Sequence, residues 1–410
     1  MCYYLIEKFN KKGYDIKRVE PCEGMIHMMI IKGQFNEAKV FTNELEEEAI
    51  RQIKELCDQE FVKGLKIRIM PDAHTGVGCV IGTTMTIKDK IVPNLVGVDI
   101  GCGVEVVKIE EKQINFEKLD EVIRKEIPSG FNIRKKPHPY VEKSQILELK
   151  CREFIDLERA ILSIGTLGGG NHFIEVDRDE SNNLYIVVHS GSRYLGKQVA
   201  EYYQNLAYSM LTGQPISKKK KKKKKNISIK DIGIPKHLAY LEKEGFNDYL
   251  WDMKITQNYA LLNRKAITDI IIQQMQLNVS ERFTTIHNYI DLEKMILRKG
   301  AVSAQLGEKL IIPINMKDGS LICVGKGNPD WNFSAPHGAG RVMSRKQAKK
   351  RITIEEYKKT MEGIYSTSVN LQTIDEAPMV YKSLKEIEEN IQDTVKIIKR
   401  ITPLYNFKGS

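Results

Sequence analysis

Nowhere does this chain hold the roughly 18 consecutive apolar residues that a membrane span requires. It also opens without a basic-then-apolar leader pattern, so we expect a cytoplasmic protein with no membrane contact. A disulfide framework is missing too. The seven cysteines, Cys2, Cys22, Cys57, Cys79, Cys102, Cys151 and Cys323, are odd in number and scattered through 410 residues, a usage that fits a reducing compartment. Neither nucleotide fingerprint occurs: there is no G-x-x-x-x-G-K-[ST], and no G-x-G-x-x-G opens a helix, so any nucleotide must bind by other means. A broad basic field is weak as well. The net charge is +11, but Lys218 to Lys225 is an unbroken run of eight lysines, and without it only +3 is left. Like charges repel, and nothing apolar offsets the ordering entropy, so the segment near 214–230 reads as a solvated, disordered insertion.

What is present is a core-forming chain, 41% hydrophobic, with no internal repeat. Residues 1–27 alternate short apolar and charged pieces and read as a weakly specified N-terminal extension. Met25, Met28 and Met29 precede the first convincing strand, at 29–32, from which a single domain is expected to run over 28–410. Asn43 offers an N-cap with Glu46 three residues on, and Leu45, Ala49, Ile53 and Leu56 follow at helical spacing, predicting a helix over 43–58. Strands are expected at 67–70, 83–88, 173–176, 184–189, 284–289, 309–315 and 320–324. Helices are expected within 116–160 and at 194–211, 246–275, 344–363 and 383–401. The last is the clearest: Ser383 and Glu386 form a capping box, and Leu384, Ile387, Ile391, Val395 and Ile398 make one apolar stripe. Helices do not alternate strictly with strands, so the fold class is α+β, with mixed sheets and flanking helices.

The chain is organised around Leu95-Val96-Gly97-Val98-Asp99-Ile100-Gly101-Cys102-Gly103. An apolar run stops at three glycines, which let the backbone present a carboxylate and a thiol to one ion or substrate. Alone, such a D-x-x-C reads as a tight turn with a structural cysteine. The histidines change that reading. His74, His172, His189, His287 and His337 all sit at strand ends or in glycine turns, and together with Asp99 and Cys102 they form a metal-site inventory. It is large enough for two ions. A two-metal clamp suits phosphoryl or nucleotidyl transfer, and donor softness alone would favour zinc. Phosphate handling is legible in Gly165-Thr166-Leu167-Gly168-Gly169-Gly170-Asn171, whose backbone N–H groups could cradle an anion. Arg193 and Arg341 follow glycine turns as guanidinium forks for phosphate or RNA.

From about Ile67 to Lys408 the blocks PDAHTGVG, VGVDIGCG, GTLGGGNHFIEV, VVHSGSR, HNY, RKGAVSA, SAPHGAGRVMSR and IDEAPMVYK occur in that order. In this the chain resembles the RtcB family of RNA-splicing and repair ligases. The resemblance implies an enzyme that joins RNA 2′,3′-cyclic phosphate or 3′-phosphate ends to 5′-hydroxyl ends, using GTP and two Mn²⁺ ions. It implies Asp99, Cys102 and His172 as ligands of one ion, and Cys102, His189 and His287 as ligands of the other. His337 would be the guanylylated nucleophile, supported by Asp72. Asn171, Phe173, Glu175, Gly338, Ala339, Gly340 and Lys408 would surround the nucleotide. The implied substrates are broken tRNA or rRNA, and the implied protein partners an archease-like or release-factor-like protein.

Two departures point to a divergent branch. The family's Gly-Ser-Met-Gly-Thr segment is replaced by Ile314-Asn315-Met316-Lys317-Asp318, which sets Asn315 where a nucleotide-holding Ser is expected, and the octalysine is foreign to the family core. Two other function classes compete. One is a dinuclear metallophosphoesterase acting on RNA ends, which needs no nucleophilic histidine. The other is a non-catalytic RNA-binding module working through the lysine run.

Overall fold

The computed structural model describes residues 5–11, 14–20, 28–42, 44–213 and 233–409. The lysine run, the Asn43 cap and Met25 lie outside the described residues. The α+β expectation holds: two large sheets, two small ones and eight α-helices make up the described chain.

The site-bearing sheet has seven strands in the order Val279–Ile286, Gly103–Ile109, Leu184–Ser190, Phe173–Arg178, Val395–Lys408, Gly319–Gly325 and Lys309–Asn315, all antiparallel. Its strands read as near-continuous apolar runs because both faces are covered. On one face Val107, Ile109, Ile174, Val176, Ile186 and Val188 pack against Leu119, Ile123, Ile267 and Ile271 of the helices Phe116–Glu126 and Lys243–Met275. On the other face Val104, Val106, Phe173, Tyr185 and Val187 meet Ile311, Ile322 and Ile401. The second large sheet has eight strands and carries Ile67–His74 near its middle, with one parallel pair, Glu37–Val40 against Ile67–His74.

Register decides where the chemistry collects. His189 pairs with Val104 on one side and Phe173 on the other, Phe173 pairs with Lys408, and Val104 pairs with Thr285. Directly paired residues point to one face. One row of the sheet therefore brings His189, Phe173 and Lys408 together, at the strand ends where Cys102, His172 and His287 stand.

The helix expected at 383–401 is corrected. Only Leu384–Asn390 is helical, with the Ser383 side chain accepting the Glu386 N–H, one of the two bonds of the expected capping box, and Val395–Lys408 is a central strand. The stripe at three- and four-residue spacing was real up to Ile391. Beyond it the run Lys396 to Ile401 is β-branched and charged by turns, and pairing on both edges outweighs helical periodicity. The other boundaries shift for local reasons. Residues 344–363 split into Arg345–Arg351 and Ile354–Thr360, because Thr353 forms a capping box of its own. Within 116–160, only Phe116–Glu126 and Leu157–Ile161 are α-helical. The helix expected at 43–58 runs over Glu47–Cys57, and the strand expected at 284–289 breaks at His287. Two strands, Leu5–Lys11 and Tyr14–Glu20, precede the first one expected and add a hairpin to the eight-stranded sheet. No helix among the described residues is long and apolar enough to cross a membrane.

Candidate metal and nucleotide site

Two polar residues in the middle of the 33-residue helix Lys243–Met275 fasten the loops that carry Cys102, His172 and His189. Asn263 is fully buried. Its Oδ1 accepts the N–H groups of Gly165 and Thr166 at 2.8 and 3.1 Å, and its Nδ2 donates to Ser190 Oγ and Gly191 O, both at 3.0 Å. Arg264, also fully buried, donates to Gly101 O at 2.7 Å and Ser190 O at 3.0 Å. One helical turn thus pins the Cys102 turn, the His189 strand end and the triple-glycine loop to a rigid support. Burial lowers the Arg264 pKa, while the neighbouring Cys102, Glu105 and Asp99 favour its charge.

Above this support Cys102 Sγ lies 3.4 Å from His172 Nε2 and 3.2 Å from His189 Nε2. His189 Nε2 faces His287 Nε2 at 3.4 Å, and Asp99 Oδ2 lies 3.0 Å from His172 Nε2. The donor atoms of Cys102, His172 and His189 all lie within 4.8 Å of one another. His172 Nδ1 lies 3.0 Å from Leu167 O and His189 Nδ1 lies 3.2 Å from Asn171 O. The His189 tautomer that donates to Asn171 O leaves its Nε2 lone pair on the cluster, as a metal-binding imidazole requires. Burial, reinforced for each ring by cationic neighbours, holds His189 and His287 well below the usual histidine range. Two neutral rings aiming lone pairs at each other and at a thiol are mutually satisfied by a cation, so this donor set fits a metal ion. Asp99 is half-buried; desolvation raises its carboxyl, but the contact with His172 and the Arg193 charge hold it below the usual carboxylate range.

His337 follows the short strand Ser334–Pro336 and comes close to the cluster, its ring centroid 4.8 Å from that of His287. Its Nδ1 lies 2.7 Å from Oδ2 of the buried Asp72, leaving Nε2 free for other contacts. The two sheets meet here, since Asp72 belongs to one and Cys102 and His189 stand at strand ends of the other.

A cavity of about 490 Å³ joins these groups. Asp99, Cys102, His189, His287 and His337 line it, and it extends past Asn171, Phe173, Glu175, Asn315, Gly338, Ala339 and Gly340 to Lys408. Its size suits a nucleotide-sized ligand. Burial pushes the Glu175 carboxyl up to about 7, against the pull of the Lys408 charge and the Asn406 amide. Lys408 Nζ lies 5.1 Å over the Phe173 ring and 3.6 Å from Glu376. Asn315 closes its own turn, its Oδ1 accepting the N–H groups of Lys317 and Asp318.

The two arginines differ in placement. Arg341 lines the cavity, with Nη2 donating to Asp375 O at 2.6 Å and Nη1 3.3 Å from Glu376. Arg193 does not line it. Its guanidinium lies beneath Gly168, with Nη1 3.1 Å from His172 Nδ1, where it supports the glycine loop instead of facing the cavity. His74 lines the cavity but stays outside the sulfur–imidazole cluster, its Nδ1 3.0 Å from Asp72 O. Sequence reasoning missed Arg345 and Tyr381, which also line the cavity. Arg345 leans on the buried acids Asp375 and Glu376 and Tyr381 on Glu376, and both belong to blocks already noted, SAPHGAGRVMSR and IDEAPMVYK.

The family model for tRNA-splicing ligase RtcB matches residues 52–157 and 142–409. The chain belongs to the RtcB family. The RNA-splicing ligase RtcB of Escherichia coli K12 is 32% identical over 383 residues, an alignment covering 84% of this chain and 90% of that protein. The tRNA-splicing ligases RtcB of Aeropyrum pernix and Thermococcus kodakarensis are 26% and 24% identical, each over 83% of this chain and 87% of their own. The hairpin at 5–20 lies outside the stretch that the RtcB model matches.

Proposed function

We propose that this RtcB-family chain is an RNA ligase dependent on GTP and Mn²⁺. It would join 2′,3′-cyclic phosphate or 3′-phosphate ends to 5′-hydroxyl ends through a histidine–GMP intermediate and an RNA-3′-ppG end, in repair of broken tRNA or other RNA. The observation that carries the proposal is the position of His337: Nδ1 on Asp72, the ring against His287, and one cavity running from there to Glu175 and Lys408.

Asp99, Cys102 and His172 would hold one manganese, and Cys102, His189 and His287 the other, with the thiolate shared. Bound there, the ions would neutralise triphosphate charge and activate the water that opens a cyclic phosphate. The remaining steps belong to the chain's own groups. Asp72 keeps the His337 proton on Nδ1, so the Nε2 lone pair can bond to the GTP α-phosphorus while pyrophosphate departs. An oxygen of the RNA 3′-phosphate then takes GMP from His337, and Nε2 recovers its lone pair. The 5′-hydroxyl oxygen attacks the activated RNA phosphate, losing its proton, and GMP leaves. Glu175 and Lys408 would read the guanine edge, Phe173 would pack beside it, and the Asn171, Gly338, Ala339 and Gly340 segment would hold phosphate and ribose. Arg341 would face RNA phosphate from the cavity wall.

The direct test mixes an RNA ending in 2′,3′-cyclic phosphate, an RNA beginning with 5′-hydroxyl, GTP, Mn²⁺ and protein. Joined product and an acid-labile GMP adduct are expected, both lost in His337→Ala. Hydrolysis of the phosphate ends that survives His337→Ala, with no joining, would make the protein a metallophosphoesterase instead.

A further inference from the structure

Beside the triple-glycine loop stands a surface that the chemistry above does not use. Pro128 O accepts the Leu167 N–H at 2.9 Å, and Gly130 N–H donates to Gly168 O at 3.0 Å, so the segment 128–132 is strapped along the loop that ends in His172. Phe131 sits on this strap. Its ring is 93% exposed, the highest value of any large apolar side chain among the described residues. Its backbone is nonetheless fixed, because Arg159 Nη2 donates to Phe131 O at 2.7 Å and Asn132 N–H donates to Ser129 O at 3.1 Å. The Arg159 guanidinium lies 5.8 Å from the centroid of the Tyr194 ring, which is itself exposed. Lys135 and Lys136 follow, also exposed. Gly168 has φ +82°, and a Cβ there would overlap the Arg193 side chain, so loop and arginine are fitted to each other. An anchored backbone presenting a bare aromatic ring, with an arginine bonded to it and exposed lysines a few residues on, is the arrangement that stacks unpaired bases and tracks their phosphates.

We propose that Phe131, with Arg159, Tyr194, Lys135 and Lys136, is a docking platform for the unpaired nucleotides next to the 3′-phosphate of the RNA substrate, Phe131 stacking on a base. The inference rests on the RNA-ligase reading. The 3′-phosphate strand is chosen because the strap is bonded to Leu167 and Gly168 of the loop that ends in Asn171-His172, at the cluster where that phosphate must arrive. Phe131 is a positioning residue: it holds the strand and touches no reacting atom.

The test is anisotropy of a labelled single-stranded RNA decamer ending in 3′-phosphate, paired with steady-state joining. Phe131→Ala is expected to weaken binding of this strand and raise its KM about tenfold. kcat, the KM for the 5′-hydroxyl strand and GMP-adduct formation from GTP should stay within about twofold of wild type. Phe131→Trp should restore binding, and an RNA with abasic terminal nucleotides should bind wild type and Phe131→Ala alike. Lys135→Ala combined with Lys136→Ala should flatten the salt dependence. Unchanged binding of the 3′-phosphate strand in Phe131→Ala, or a loss confined to the 5′-hydroxyl strand, overturns the platform. Absence of joining by wild type overturns the ligase reading instead.

Discussion

One carboxylate oxygen of Asp72 serves His337 twice: Oδ2 lies 2.7 Å from the ring Nδ1 and accepts the His337 backbone N–H at 3.2 Å. Asp72 is wholly buried, so this is a fixed acceptor that sets both the tautomer and the orientation of the ring.

Asp72→Asn is therefore expected to keep the fold and lose the chemistry. An amide can turn its NH₂ toward Nδ1 and favour the tautomer with the proton on Nε2, the atom proposed to attack. By analogy with other histidines oriented by a carboxylate, the loss in GMP-adduct formation should be about 10²- to 10⁴-fold. Adduct formation from labelled GTP, followed in the same protein as its thermal melt, separates the two effects. A normal adduct rate would remove Asp72 from the mechanism.

Nucleotide affinity should depend on pH through Glu175. Its carboxyl is raised to about 7 by burial, and a guanine edge donates well only to the ionised form. Affinity for GTP should thus rise as pH climbs through about 7, and fall about tenfold for each unit below it. Calorimetry on His337→Ala, which cannot turn over, should give that slope, and Glu175→Gln should bind weakly and flatten it. An affinity equal at about pH 6 and about pH 8 would exclude Glu175 from base recognition.

Asp177 lies two residues along the same strand face, fully buried, with neither carboxylate oxygen hydrogen-bonded. Burial first and the Glu175 charge second push its carboxyl well above the usual range. The folded state then keeps a proton that the unfolded chain releases near pH 4, so this residue costs stability as pH rises from there toward the folded value. Asp177→Asn should melt like wild type near pH 4 and at a higher temperature than wild type near pH 8. A stability difference that does not widen with pH would mean that Asp177 has a partner in solution.

How much of this was written in the sequence follows from the kind of signal each residue carries. The proposed ligands Asp99, Cys102, His172 and His189 were legible because they sit at strand ends next to glycines, a local pattern that survives folding unchanged. The Glu175 and Lys408 end of the cavity was named through the family resemblance and not through any local pattern. Lys408 reaches it only because Val395–Lys408 is a strand paired to Phe173–Arg178, and the same apolar stripe had read as the end of a helix. The supporting pair Asn263 and Arg264 left no local trace either. Mid-helix polar residues look like a solvent face until the helix is known to be buried around them. The exposure of Phe131 depends on how a loop is strapped, which spacing cannot express.

Cys102 lies between two sets of donors, and Gly191 offers a way to disturb one set alone. The thiol is within 3.4 Å of His172 and 3.2 Å of His189, whereas His172 is the histidine that Asp99 touches. A Cβ at Gly191 would stand 2.2 Å from Asp99 Oδ1, and no positive φ makes that glycine necessary for backbone reasons. Manganese content after dialysis should therefore fall from two per chain to none in Cys102→Ala, but to about one in both Asp99→Ala and Gly191→Ala. Gly191→Ala is the more telling variant, since it leaves every ligand in the chain and only pushes one carboxylate aside. Equal, mild losses in Cys102→Ala and Asp99→Ala would argue against a shared thiolate, and full retention in Gly191→Ala would argue against Asp99 as a ligand.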